Sequence, residues 1–257
     1  MDARKNWQER QGNMLHQGAT RLTVGALAAI VLTACGGSDN GMLTAGPPGP
    51  PPGSYDLRTA MSALVKSGLS ASVNLSGNAI VNGTTTGFTG TGVLTLSPGA
   101  SGMFNGKTEL LQTEAISGTV FVSGQSSPYS STIVTAYDGM TGAILGELQT
   151  HEFDVAQAPI LIPTTVGASV VLGTLSRYTD NTQSVVLGTM QVSAGLLLAT
   201  VDGKGPEVVQ FTYKVYDNSQ ALVETDNFNY YLSQDNVLSL YSYTAQSASG
   251  TLSVTPQ

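Results

Sequence analysis

One cysteine, one tryptophan and two histidines occur among 257 residues, and only 11% of the side chains are charged, well under the usual quarter. Each scarcity excludes something. The lone Cys35 cannot form an internal disulfide or a thiolate metal cluster, so it is reduced, modified or joined to another chain. His16 and His151 are the only imidazoles and no G-x-S-x-G occurs, so the common hydrolase triad lacks its sequence mark. Zinc needs three or four His, Cys or carboxylate ligands, and no such cluster is spaced for it; the reading is of no metal, no cofactor and no enzyme. From Cys35 onward, 6 basic residues face 15 acidic ones, a balance that repels phosphate backbones and argues against nucleic acid as a partner. Long apolar runs are also missing. The longest, "LTVGALAAIVL" at 22–32, falls short of the roughly 20 residues that span a bilayer.

That short run follows Arg21 and leads into small residues, the basic, hydrophobic and cleavage parts of a secretory signal. Directly after it stands Leu32-Thr33-Ala34-Cys35. Here the sequence resembles bacterial lipoprotein precursors, whose lipobox is Leu, a small or β-branched residue, Ala or Gly, then Cys. The resemblance implies that residues 1–34 are a signal peptide, that the Cys35 thiol carries a diacylglyceryl group, and that Cys35 is the acylated first residue of the mature protein. One acyl chain binds membranes only marginally and stable anchoring takes two or more, a condition lipidated Cys35 meets. Gly36 in the following position is compatible with outer-membrane sorting by analogy with enteric lipoproteins. The leader is long, and Met14 would begin a conventional signal, so residues 1–13 are expected to be a start-site artefact.

Residues 35–53, with "GPPGPPPG" inside them, form a disordered Gly/Pro-rich tether. The glycine triplet breaks too early for a collagen helix, and the prolines favour an extended spacer of about 3.1 Å per residue.

Residues 54–257 read as one β-rich domain. Leu57, Met61, Leu64 and Val65 lie at helical spacing, with Asp56 or Ser54 as N-cap and Gly68 to end the helix. Beyond it, ten or eleven strands are expected. "EVVQFTYKVY" alternates Val209, Phe211, Tyr213 and Val215 against polar neighbours, and turns at 217–219 and 233–236 make a three-stranded meander. Asn82-Gly83, Asp138-Gly139 and Asp202-Gly203 are hairpin signals. Pro159 and Pro163 restrict the residues between them to an edge or loop. The fold class is therefore all-β: an antiparallel β-sandwich or a strongly curved sheet, of which a half-barrel is one form, with one short helix at its start. Ser76–Val93 and Ser117–Val134 align without a gap at an offset of 41 residues, reading as two similar hairpins with Phe88 matching Tyr129.

The remaining chemistry is sparse. His151 in "LQTHEFDV" would sit beside Phe153 on a strand. Glu152 and Asp154, and likewise Glu224 and Asp226, are spaced to share a strand face roughly 6.5–7 Å apart, a separation that inverting glycosidases use but that solvated strand faces commonly show. No calcium loop accompanies either pair. "AYDGMTGAILGE" resembles a quinoprotein propeller hairpin, occurs once, and reads as a plain hairpin. Phe228, Tyr230, Tyr231, Tyr241 and Tyr243 form either sheet packing or a platform for a sugar or an apolar ligand. The expected role is a non-catalytic binding or structural one in the envelope, held to the membrane through Cys35, with another envelope component or a glycan as partner. Two alternatives stand beside it. A helix followed by a curved sheet resembles the layout of lipoprotein carriers, implying an apolar ligand; a carboxylate pair would instead serve a glycan-active enzyme.

Overall fold

A computed structural model describes residues 56–257, apart from 82, 166, 168, 198–206 and 234. The signal segment, Cys35, the tether and Asp202-Gly203 lie outside the described residues.

Helix α1, Leu57–Ser67, starts where Asp56 accepts a 3.0 Å hydrogen bond from the Thr59 backbone N–H and stops at Gly68, whose φ of 71° suits a glycine. Its apolar face buries Leu57, Ala60, Leu64 and Val65. Because the cap satisfies the Thr59 amide, which has no intrahelical partner, Asp56→Ala should cost about 1 kcal/mol, read as a lowered melting temperature.

Thirteen strands follow: β1 Leu69–Val81, β2 Thr84–Leu96, β3 Ala100–Phe104, β4 Lys107–Val122, β5 Gln125–Tyr137, β6 Ile144–Gln149, β7 Glu152–Ile160, β8 Val170–Tyr178, β9 Val186–Leu197, β10 Glu207–Asp217, β11 Leu222–Leu232, β12 Leu238–Ser247 and β13 Gly250–Pro256. From β4 to β13 each pairs antiparallel with its sequence neighbours. Two further pairings turn the sheet into a closed ring. β1 joins β13, with Leu75 opposite Val254, and β2 joins β4, with Leu94 opposite Ile116. The product is a twelve-stranded antiparallel barrel: the all-β class with one short helix at its start stands, and full closure is more specific than the expected sandwich or half-barrel. Closure removes every long edge that a half-barrel would leave unpaired.

β3 is not a stave of its own. It prolongs β2 along the same side of β4, from Leu96 opposite Glu114 to Ala100 opposite Leu111, across the irregular residues 97–99. The β3–β4 hairpin turns at Asn105 and Gly106, both at positive φ, and lies against the outer wall. There Phe104 stacks at 5.1 Å on Phe153, forming a small second core with Ala136.

The two echoing segments fold as two hairpins in the same register. Gly77 faces Phe88 across β1–β2, and Gly118 faces Tyr129 across β4–β5, while their turns place Gly83 and Gly124 at φ 75° and 79°. The glycine is required by the barrel wall: a Cβ on Gly77 would run into the backbone carbonyl of Thr251 on β13, and the Phe88 ring would be 2.8 Å away as well.

Strand alternation sends Val73, Leu75, Leu94, Val192, Phe211 and Val254 inward, where they pack with α1 in one core. Outward point Ser72, Ser76, Thr89, Thr91, Ser117 and Thr119, all exposed. An outer-membrane barrel carries an apolar band facing lipid; on β1, β2 and β4 the outer face carries these hydroxyls with Val93 and Phe121 exposed among them, and apolar side chains fill the lumen. α1 lies across the end of the lumen where β1 begins, held by Arg58 Nε to the Ile162 carbonyl (2.8 Å), by Gln112 Nε2 to the Leu64 carbonyl (3.1 Å) and by Asn236 Oδ1 accepting from the Asp56 N–H (2.8 Å).

Candidate functional site

Beneath α1 the lumen keeps a cavity of about 50 Å³, counted as room for the centres of water molecules. Met61 and Leu64 of the helix, Glu114, Glu147, Tyr213 and Asp226 from the staves are among the residues that line it. The alternation that buries Ile116 and Gln112 on β4 also turns Glu114 inward. Pairing of Thr135 with Glu147, and of Glu147 with Asp154, carries the same inward row across β5, β6 and β7. Burial, with Glu147 beside it, pushes the Glu114 carboxyl up to about 8. Glu114 retains some accessible area because it borders the cavity, yet protein surrounds it.

Burial, assisted by these carboxylates, also holds the Tyr137, Tyr213, Tyr230 and Tyr243 hydroxyls well above the ordinary phenol range. They remain neutral and available as donors. Farther along the lumen, Arg177 Nη2 contacts Glu152 Oε2 at 2.7 Å and its Nε lies 3.9 Å from Asp154 Oδ1. Among the described residues it is the one buried cation, against the carboxyls of Glu114, Glu147, Glu152, Asp154, Glu224 and Asp226 on inward-facing positions.

Both carboxylate pairs named from the sequence thus enter the same lumen, though not as solvated strand faces: Asp154 is 1% exposed and Asp226 5%. His151 occupies the exposed β6–β7 turn, so the alternation that placed it beside Phe153 begins one residue too early. The aromatic cluster divides. Phe228 and Tyr243 stack at 4.4 Å inside, Tyr230 meets Phe211 edge-on, and a register shift at Asn229/Tyr230 leaves Tyr231 and Tyr241 paired at 4.8 Å outside. Beside that outer pair, Gln210 donates to Asn229 at 3.0 Å and Asn229 to Ser242 at 2.9 Å. Asp138, in the single propeller-like hairpin, accepts from the Met140 and Thr141 amides and is a turn residue. No group of three or more His, Cys, Asp or Glu among the described residues is arranged to hold a metal ion.

Glu114, Glu147 and Arg177 were not legible as site residues. Their one signal is a charge on the inward parity of an otherwise apolar strand.

No family model and no curated protein matches the chain. Two solved structures are similar in outline. One is described as a putative outer membrane lipoprotein-sorting protein domain from Vibrio parahaemolyticus: 11% identity, 79% of this chain and 90% of that one, TM-score 0.27. The other is a DUF1329 family protein from Desulfovibrio piger: 10% identity, 79% and 89% coverage, TM-score 0.26. At these values neither likeness bears on function.

Proposed function

We propose that this is a lipid-anchored protein of the bacterial cell envelope, sorted to the outer membrane, whose barrel is a non-catalytic binding or structural module. The observation that carries the reading is the lipobox Leu32-Thr33-Ala34-Cys35, followed through a Gly/Pro tether by a barrel whose β1, β2 and β4 turn a row of Ser and Thr side chains outward. Such a barrel needs a separate anchor to stay at a membrane, and acylated Cys35 supplies it.

The filled lumen weighs against the carrier alternative. A cavity of about 50 Å³ holds a few waters, whereas ligand pockets run to about 300–1,000 Å³. Recognition of an envelope component or a glycan therefore falls to the outer wall, where Tyr241 is 45% exposed beside Tyr231 and the Gln210–Asn229–Ser242 chain.

Expression of the full chain in a bacterium tests the anchor. The wild type should fractionate with membranes and show, by intact mass, a chain beginning at a diacylated Cys35. Cys35→Ser should lose the lipid mass and nearly all membrane partition. An unmodified wild-type chain in the cytosol would remove the basis of this reading.

A further inference from the structure

We propose that the outward face of β10–β12 is a binding platform for a neutral glycan chain: the exposed Tyr241 ring takes the face of a sugar, and the row Gln210–Asn229–Ser242 beside it meets the sugar's hydroxyls. The proposal rests on the reading that recognition falls to the outer wall, and it names the class of partner there. The anchor plays no part in it.

A bulge builds the platform. Tyr230 pairs with Leu240 and Asn229 with Ser242, so Tyr241 is the extra residue of β12 and stands outward next to Ser242, while Leu240 and Tyr243 on either side stay buried. Tyr231 backs its ring at 4.8 Å with the two planes 60° apart. A ring so held has given up side-chain freedom before a partner arrives, which lowers the cost of stacking on it. The polar row is fixed as well. Gln210 Nε2 donates to Asn229 Oδ1 at 3.0 Å and Asn229 Nδ2 to Ser242 Oγ at 2.9 Å, so the chain runs one way across three strands and leaves the Ser242 O–H as a donor at the Tyr241 end. Asn229 is 8% exposed, which sets the row into the wall. One outward position along, Thr212 Oγ1 donates to Asn227 Oδ1 at 2.8 Å, starting a second row with the Asn227 amide nitrogen as its donor.

Charge on this face selects the partner. Between the end residues of β10, β11 and β12, Glu224 and Asp226 face the lumen, and Lys214 is the one outward charge, two outward positions from Gln210 and so roughly 13–14 Å away. An anionic polymer meets no cluster of cations among these described residues. An apolar cover would strip water from the amides and hydroxyls of both rows without replacing its hydrogen bonds. Sugar hydroxyls both donate and accept, so they exchange with that water at little cost. The C–H face of a pyranose in turn gives Tyr241 an apolar contact.

Migration of the purified full chain, in a non-ionic detergent, through native gels that contain a polysaccharide tests the platform. Laminarin, dextran and hydroxyethyl cellulose are the neutral probes, and polygalacturonate is the anionic one. At least one neutral gel should retard the chain while polygalacturonate does not, and Tyr241→Ala should weaken the derived affinity about tenfold or more. Tyr241→Phe should keep the binding, because the ring and not its hydroxyl makes the contact. Ser242→Ala, at the end of the row, should weaken it independently and serves should Tyr241→Ala not fold; Thr91→Ala, on the wall of β2, should change nothing. Passage unretarded through all the neutral gels, stronger retardation by polygalacturonate, or retardation that Tyr241→Ala and Ser242→Ala both leave intact would each overturn the platform. The anchor is read separately, by the mass of the lipidated Cys35 chain, and stands or falls without regard to these gels.

Discussion

Raising the pH from 5 to 8 should destabilise the fold by on the order of 4 kcal/mol, and Glu114→Gln should remove most of that dependence. The sign follows from proton counting. Between its ordinary value of 4.5 and about 8, Glu114 binds a proton in the folded chain and releases it in the unfolded one, so higher pH favours unfolding. The stabilisation is fully present below pH 4.5 and gone above about 8. The buried tyrosines push in the same direction at higher pH, since their raised hydroxyls must lose protons as the chain unfolds above about pH 10. Asp138, Asp180 and Asp217, held below the ordinary carboxylate range chiefly by hydrogen bonds from Thr141, Thr182 and Ser219, act oppositely, and what they contribute is lost as pH falls through 3.8 and below. Stability should therefore peak at mildly acidic pH. Urea titrations at pH 5 and pH 8 on the wild type and Glu114→Gln measure the effect. A pH-independent midpoint in the wild type would mean that Glu114 is ionised inside the folded barrel.

What makes that residue informative also made it hard to foresee. Leu57, Met61, Leu64 and Val65, with Asp56 before and Gly68 after them, specify α1 locally, and the structure places the cap and the stop at those residues. The β10–β12 meander is legible for the same reason, because alternation and turn residues are short-range facts. Barrel closure is not short-range. β1 finds β13 at the far end of the chain, and β2 pairs with β4 past the β3 segment that prolongs it. Alternation tells which residues share a face, not which strand will lie alongside. The same limit governed the carboxylates. Glu224 and Asp226 share parity with Phe228, Tyr230 and Leu232, so their inward direction was encoded, but only against a neighbour set that closure creates. Glu152 and Asp154 were harder still, since Phe153 and Val155 on the opposite parity are covered by the β3–β4 hairpin and both faces of β7 are buried.

Arg177→Met should cost about 3–5 kcal/mol, because it strips the lumen of its buried cation while leaving the acids in place. Arg177 is 6% exposed, meets Glu152 at 2.7 Å and lies within 4 Å of Asp154, which the β7–β8 pairing sets directly opposite it. Both acids lie on the inward side of β7, so the variant keeps negative charge in the lumen from which the guanidinium has been removed. Arg177→Lys should recover only part of the loss, since a single ammonium cannot reproduce the fork that reaches both carboxyls. Neutralising the whole group is expected to do better. Arg177→Met combined with Glu152→Leu and Asp154→Leu replaces an ion cluster by apolar side chains on the lumen face that Leu175 shares, and buried clusters so replaced are often as stable as the original. Denaturant midpoints of the single and triple variants separate the two contributions: a triple variant as unstable as the single one would show that shape, and not charge balance, is what Arg177 supplies. The alternative result, recovery to near the wild-type midpoint, would leave the lumen with Glu114, Glu147, Glu224 and Asp226 and no cation among the described residues, and its pH dependence should then be governed by Glu114 as in the parent.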